Sequence, residues 1–280
     1  MKLPDGLSGA FAAAGAAAWG GTAYGPLEEH MAPIARERAR ALCPGASAVL
    51  VAAFPYYAGE EEGNLSLYAR GEDYHRVLGR RLNTVCTFLS EQYPSYCFIP
   101  GADSSPLPER EAAWAAGIGL RGKNGLIILP PYGSYLFLGT ILTDCPFEVE
   151  ARPAAPDCLS CGACAAACPT GALGLDGRVE VSRCLSDLTQ RKGAMTAEEG
   201  ALLRSHDLIW GCDRCQTVCP YNRAAALTPL PEFREGLLSA LTSADLAGLT
   251  GRSFQAKYGG RAFAWRGPGP LRRNLALKQE

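Results

Sequence analysis

Between residues 73 and 92 the apolar side chains fall three and four positions apart, at Tyr74, Val77, Leu78, Leu82, Val85, Cys86 and Leu89. That spacing lines one face of an α-helix, and it places Cys86 in a core rather than among ligands. Residues 33–42 have a helical composition and stop at Cys43-Pro44-Gly45, where proline and glycine end a helix. Residues 46–54 are then apolar without a break, the pattern of a strand buried on both faces. The Ala-rich stretch 10–19 predicts a further helix. Downstream, the pattern predicts a short strand at 97–99, a helix over 108–116 and a glycine-rich loop over 117–125. Two strands follow, 126–129 and 135–142, joined by a turn at 130–133. Helix and strand thus mix within the first half of the chain, which predicts an α+β fold.

The pattern changes twice more. A proline-rich joint at 152–156 opens a cysteine-rich part, so the chain divides into residues 1–152, 153–222 and 223–280. Within the second part, residues 197–203 predict a helix, and in the third a short amphipathic helix is expected over 243–249. From Gly251 onward seven Lys or Arg residues stand against Glu280 alone. Such a stretch reads as a solvated basic tail, which can also touch phosphate groups.

Composition narrows the class. At 280 residues, with 48% apolar composition and a formal net charge of −1, the chain can bury one large or two ordinary cores and lacks the basic excess of a nucleic-acid binder. No apolar run approaches the roughly 20 residues of a membrane span. The stretch 10–19 follows a weak n-region with one Lys and one Asp and no twin-arginine pair, so a leader peptide is not expected.

Twelve cysteines are the main chemical signal. Cys158, Cys161, Cys164 and Cys168 form a C-x2-C-x2-C-x3-C run closed by Pro169, the spacing in which the fourth cysteine ligates the other cluster of a two-cluster ferredoxin. Cys212, Cys215 and Cys219, closed by Pro220, repeat its last three positions, with Ile209 where the first cysteine would stand. One set is then Cys158, Cys161, Cys164 and Cys219. The other is Cys168, Cys212 and Cys215, completed by Cys184, the nearby remaining thiol. Zinc is the competing reading, but zinc sites usually show paired C-x2-C knuckles, whereas the reciprocal swap suits two 4Fe-4S clusters. Thiolate-held clusters need a reducing compartment, which predicts a cytoplasmic protein. Cys43, Cys97 and Cys145 fit neither run and read as buried.

Clusters move electrons without choosing a substrate, so other polar segments matter. Gly117, Gly119 and Gly122 with Lys123 spell G-x-G-x-x-G-K, but after a helix and before a strand, the reverse of a Rossmann or P-loop context. A nucleotide site is therefore rejected. The loop still lets backbone approach a bulky planar or phosphate-bearing ligand, with Lys123 and Asn124 as donors. Asp103 stands after an apolar strand and before a turn, where it either caps the turn or supplies protons to a reduction. His75 reads as a buried hydrogen-bonded residue, a proton relay or a ligand.

Taken together, Tyr68-Ala-Arg70-Gly-x-Asp-Tyr-His75, Asp103-x-x-Pro-x-x-Glu-Arg110, Gly117-Ile-Gly119-x-x-Gly122-Lys123-Asn124, Gly133-Ser134 and the cysteine runs resemble the epoxyqueuosine reductase family. Cys184-Leu-Ser186 and Gly211-Cys212-Asp213 continue the likeness, which covers about residues 33–222. It implies a cobalamin-dependent iron–sulfur reductase related in design to the reductive dehalogenases, with a nitroreductase-like α+β cobalamin-binding domain ahead of a double-cluster, bacterial-ferredoxin-like domain. It further implies Asp103 as the catalytic proton donor. Cobalamin contacts would come from Tyr68, Arg70, His75, Gly119, Gly122, Lys123, Asn124 and Ser134, and an external flavodoxin or ferredoxin would feed the clusters.

Family members that act on tRNA continue into a helical-repeat segment, whereas this chain stops soon after Arg272-Arg273-Asn274, so a short form lacking that segment is expected. A tRNA, a smaller molecule and another corrinoid protein all remain open as substrates. The alternative class is an electron-transfer module serving a separate corrinoid or other enzyme; in that case replacing Asp103 would not matter.

Overall fold

The computed structural model describes residues 1–149 and 157–279. They form two compact units, and neither is a single stretch of chain: the first comprises Met1–Pro55, Tyr74–Gly122 and Leu126–Cys158, the second Tyr56–Asp73, Lys123–Gly125 and Leu159–Glu280. The proline-rich joint at 152–156 and the boundary drawn there lie outside the described residues.

The first unit is built on an antiparallel sheet of order β1-β2-β6-β3, from β1 (Ala18–Ala23), β2 (Ala48–Pro55), β3 (Phe98–Gly101) and β6 (Leu136–Thr143). β2 lies between β1 and β6 and buries all its residues, which is why its sequence shows no polar alternation. Its successive side chains point to opposite faces. Val51 and Ala53 pack with Ala113 of α5 (Glu109–Ala115). Phe54 lies on the other face, where Leu78 and Leu82 of α4 (Tyr74–Gln92) close over Gly139. Three further helices, α1 (Leu7–Ala13), α2 (Tyr24–Leu27) and α3 (Pro33–Leu42), complete the unit. The short strands β4 (Leu120–Arg121) and β5 (Ile127–Ile128) pair inside the stretch that the sequence assigned to a loop and a longer strand.

The helix expected over 10–19 is two elements instead. Gly15 adopts the left-handed conformation at φ 83°, which ends α1, and Trp19 enters β1, where its ring stacks on Phe11 at 4.7 Å.

The second unit holds α6 (Ala163–Ala167), α7 (Leu185–Gln190), α8 (Ala197–Arg204), α9 (Arg214–Thr217), α10 (Ser243–Leu246), α11 (Gly251–Tyr258) and α12 (Pro268–Leu277). α10 is shorter than expected: Ala247 is already extended at φ −60°, ψ 135°, and Gly248 follows in the left-handed region at φ 67°. The basic stretch after Gly251 is not a solvated tail. It folds as α11 and α12, and its cations close helix ends and loops. Arg261 donates to the Arg70 and Gly236 carbonyls, Arg273 to those of Arg191 and Gly193, and Lys278 to that of Leu203. Among the described residues no helix is long and apolar enough to cross a membrane.

Candidate functional site: an acid–base cluster and an eight-cysteine module

In the first unit, the first turn of α4 and the loop after β3 bring His75 and Asp103 together. His75 Nε2 lies 3.1 Å from Asp103 Oδ2, with the histidine side chain 31% and the aspartate side chain 64% exposed. The His75 ring stacks on Tyr74 at 4.1 Å, and Tyr74 stacks on Phe137 at 4.3 Å, so an aromatic pile anchored on β6 sets the imidazole. Asp103 has a left-handed backbone, φ 55°, a conformation that aspartate tolerates better than most side chains and that recurs at functional sites. Its amide donates to Glu109 Oε1 at 2.7 Å.

The two carboxyls are driven apart in proton affinity. The His75 hydrogen bond, followed by that of Tyr74, outweighs burial and holds Asp103 below the usual carboxylate range. Burial pushes Glu109 up to about 8, against the opposing bond from the Asp103 amide. At neutral pH Asp103 is ionised and Glu109 carries a proton, an arrangement that separates the acid from the base. Sequence reading singled out His75 and Asp103 but not Glu109 or Tyr74. Glu109 does stand in the Asp103-to-Arg110 motif, yet only its bond to the Asp103 amide gives it a role.

The remaining expected contacts divide between the units. In the first, Gly119 sits at φ 66° where a Cβ would come 2.3 Å from the Ile128 carbonyl oxygen, so pairing of β4 with β5 requires glycine there. The Gly122 amide donates to the Leu126 carbonyl at 2.8 Å, and Ser134 is buried. In the second, Tyr68 accepts a hydrogen bond from Trp210 Nε1 at 3.0 Å, and Lys123 Nζ donates to the Leu175 carbonyl at 2.8 Å. Arg70 is buried and donates to the carbonyls of Leu65 and Glu61, while burial lowers its pKa. Asn124 is buried.

The cysteine module starts in the first unit, where the Cys158 amide donates to the Arg121 carbonyl at 3.0 Å. In the second unit, Ser160 and Gly162 are left-handed at φ 54° and 76°, turning the loop into α6. Such turns aim successive amides to one side, as anion-binding nests do. The two fourth cysteines have matching backbones. Cys168 (φ −72°, ψ 113°) and Cys219 (φ −72°, ψ 126°) each end extended and lead into a proline, behind α6 and α9, which pack together.

Thiol electrostatics group these residues. Burial pushes Cys212 up to about 11, and negative charge on Asp213, Cys184 and Cys168 pushes in the same direction. Burial pushes Cys215 up to about 12, reinforced by charge on Cys212, Cys184 and Cys164. Burial also opposes the thiolate of Cys168, but the Thr170 hydroxyl and the amides of Thr170, Ala172 and Leu173 together bring its pKa below the ordinary thiol value. Thiols this close penalise one another as thiolates, and a metal centre among them removes the penalty by deprotonating them outright. The donor set therefore fits iron–sulfur ligation.

Asp213 secures this loop from beneath. It is buried, accepts from Ser66 Oγ at 2.5 Å and from the Leu67 amide at 2.9 Å, and burial raises its pKa. Gly211 is required beside it, because a Cβ there would lie 2.4 Å from that of Ser66.

Comparison with known proteins adds a family context. Residues 36–103 match a family model described as epoxyqueuosine reductase QueG, and residues 157–222 match a 4Fe-4S double cluster binding domain. The epoxyqueuosine reductase of Listeria monocytogenes is 38% identical over 225 residues, covering 78% of this chain and 57% of the relative. That of Bacillus cereus is 35% identical over 258 residues, covering 86% of this chain and 66% of the relative. The chain thus spans about three fifths of the length of these relatives. A crystal structure of epoxyqueuosine reductase with a tRNA-Tyr stem loop superimposes with a TM-score of 0.82 at 28% identity, over 97% of this chain and 79% of that one. A reductive dehalogenase, 15% identical with a TM-score of 0.52 over 79% of this chain and 32% of that one, shares the fold.

Proposed function

The chain belongs to the epoxyqueuosine reductase family, and from that premise we propose that it is a cytoplasmic oxidoreductase that removes the epoxide oxygen of epoxyqueuosine in tRNA, using two 4Fe-4S clusters and cobalamin. The observation that carries this reading is the cluster in which His75 Nε2 lies 3.1 Å from Asp103 Oδ2 and the Asp103 amide donates to Glu109 Oε1 at 2.7 Å, in a chain that also holds the eight-cysteine module. Taking the oxygen out of an epoxide as water leaves a carbon–carbon double bond and consumes two electrons and two protons. The module answers the first need and the acid–base cluster the second.

Cys158, Cys161, Cys164 and Cys219 would hold one cluster, and Cys168, Cys184, Cys212 and Cys215 the other. In the first unit, the backbone of Gly119 and Gly122 with Ser134 and His75 would serve as cobalamin contacts; the second unit's proposed contacts are Tyr68, Arg70, Lys123 and Asn124, of which the first three are bonded within that unit. When bound, cobalamin would supply a strongly reducing metal centre for the epoxide, and the clusters would feed it electrons one at a time. Asp103, ionised at rest, would relay to the departing oxygen the proton that His75 holds against it. His75 holds a proton against the carboxylate through Nε2, and Glu109, protonated at neutral pH, fixes the Asp103 amide and serves as the second acid. The exposed side chains of Leu159, inside the first cysteine run, and Leu175, seven residues beyond it, are 70% and 73% accessible and offer an apolar approach for a flavodoxin or ferredoxin donor.

The test is turnover by anaerobically purified, cobalamin-loaded, reduced protein on epoxyqueuosine in tRNA and as the free nucleoside. Queuosine appearing in the tRNA supports the full proposal. Turnover of the nucleoside alone replaces the substrate, and no turnover of either, with clusters and cobalamin bound, rejects the reading.

A further inference from the structure

Two cysteines that neither cluster set uses face each other in the first unit. Cys43 caps the C-terminal end of α3 and is buried in the core formed with Tyr24, Leu27 and Val49. Cys97 immediately precedes β3 and is partly exposed. Fifty-four residues separate them in sequence, yet their Sγ atoms lie 2.7 Å apart. The Asp144 carboxylate, just beyond β6, lies within 4.8 Å of both sulfurs and accepts the Cys97 amide at 2.8 Å. A purely apolar pocket would not place a carboxylate there.

We propose that Cys43 and Cys97 form a reversible disulfide, a redox-sensitive staple between the end of α3 and the start of β3. A metal site of two cysteines and Asp144 is the competing use of the same atoms. Two thiolates on one tetrahedral zinc, each about 2.3 Å from the metal, stand roughly 3.8 Å apart. The pair is too close for that, so the geometry favours a sulfur–sulfur bond.

The oxidant is a small-molecule disulfide of the glutathione class. The Cys97 thiolate, the accessible partner, attacks it, breaking its S–S bond and releasing one glutathione thiol. Cys43 then attacks the Cys97 sulfur of the mixed disulfide and releases the second. Two protons and two electrons leave the protein thiols, and one glutathione disulfide becomes two thiols. Cys43 is buried and out of reach of the external disulfide, so it acts second, on the Cys97 sulfur 2.7 Å away; burial also pushes its thiol up to about 12, which disfavours it as the first nucleophile.

The holoprotein is equilibrated anaerobically in glutathione buffers of increasing oxidised fraction, alkylated and mapped by non-reducing peptide mass spectrometry. A Cys43–Cys97 cross-linked peptide should accumulate with one midpoint, and its reduction should lower the unfolding midpoint by roughly 5–10 °C. Cys43→Ser should trap glutathione on Cys97; should that variant fail to fold, Cys97→Ser must abolish the cross-link and leave Cys43 unmodified. The proposal is overturned if both thiols remain alkylatable at every buffer ratio, or if one equivalent of zinc binds and protects both.

Discussion

The cysteine module and the acid–base cluster reach their geometry by opposite routes. In the module, backbone spacing does most of the work: C-x2-C-x2-C-x3-C and its truncated repeat put thiols on consecutive turns around α6 and α9, with left-handed Ser160 and Gly162 bending the chain. The acid–base cluster instead has the start of α4 supplying His75, the loop after β3 supplying Asp103 and the start of α5 supplying Glu109. A local device writes itself into sequence as a period. A device assembled by tertiary packing leaves only scattered residues.

The contrast can be broken at its strongest point first. Cys184 lies outside both runs, and its charge acts on Cys212 and Cys215. Cys184→Ala should reduce the iron content from about eight to about four per chain and abolish turnover. Iron unchanged from wild type would remove Cys184 from the ligand set.

Glu109→Gln sharpens the other side of the contrast. Turnover at pH 7 should fall about tenfold or more, with cluster spectra unaltered. Stability checks the same group. With a folded pKa raised from 4.5 to about 8, Glu109 contributes stability that is complete below its unfolded value and is lost as pH rises through about 8. Thermal unfolding followed between pH 5 and 9 should therefore decline less steeply in Glu109→Gln than in wild type. An identical decline contradicts the raised affinity.

The smallest effect concerns the support under the module. Ser66→Ala removes the hydroxyl that Asp213 accepts and leaves a buried carboxylate short of a donor, at a cost of about 1–3 kcal/mol, readable by denaturant titration. Cluster content should be retained.

Legibility in the sequence follows the same division. The long helix over 73–92 and the buried strand over 46–54 were plain because one periodicity runs through each, and α4 and β2 fall within two residues of those limits. The Ala-rich segment misled because helix propensity yields there to packing. Gly20 accepts the close approach of the Ala116 carbonyl oxygen, 2.7 Å from where a Cβ would stand, and so belongs to a strand beneath a helix end. The C-terminal cations misled for a related reason: Arg273 and Lys278 look like solvated charges until the carbonyls they cap are known. Glu109 was visible only as one more acidic residue at a helix start, because its raised affinity comes from burial and from a contact with a loop six residues away.

The central claim is that electrons and protons arrive from separate parts of the chain, and Asp103→Asn addresses it most directly. In a single-turnover experiment, the reduced, cobalamin-loaded variant should show the wild-type reduced-cluster EPR signal while queuosine formation falls 100-fold or more. Queuosine formed at the wild-type rate by that variant would contradict the account.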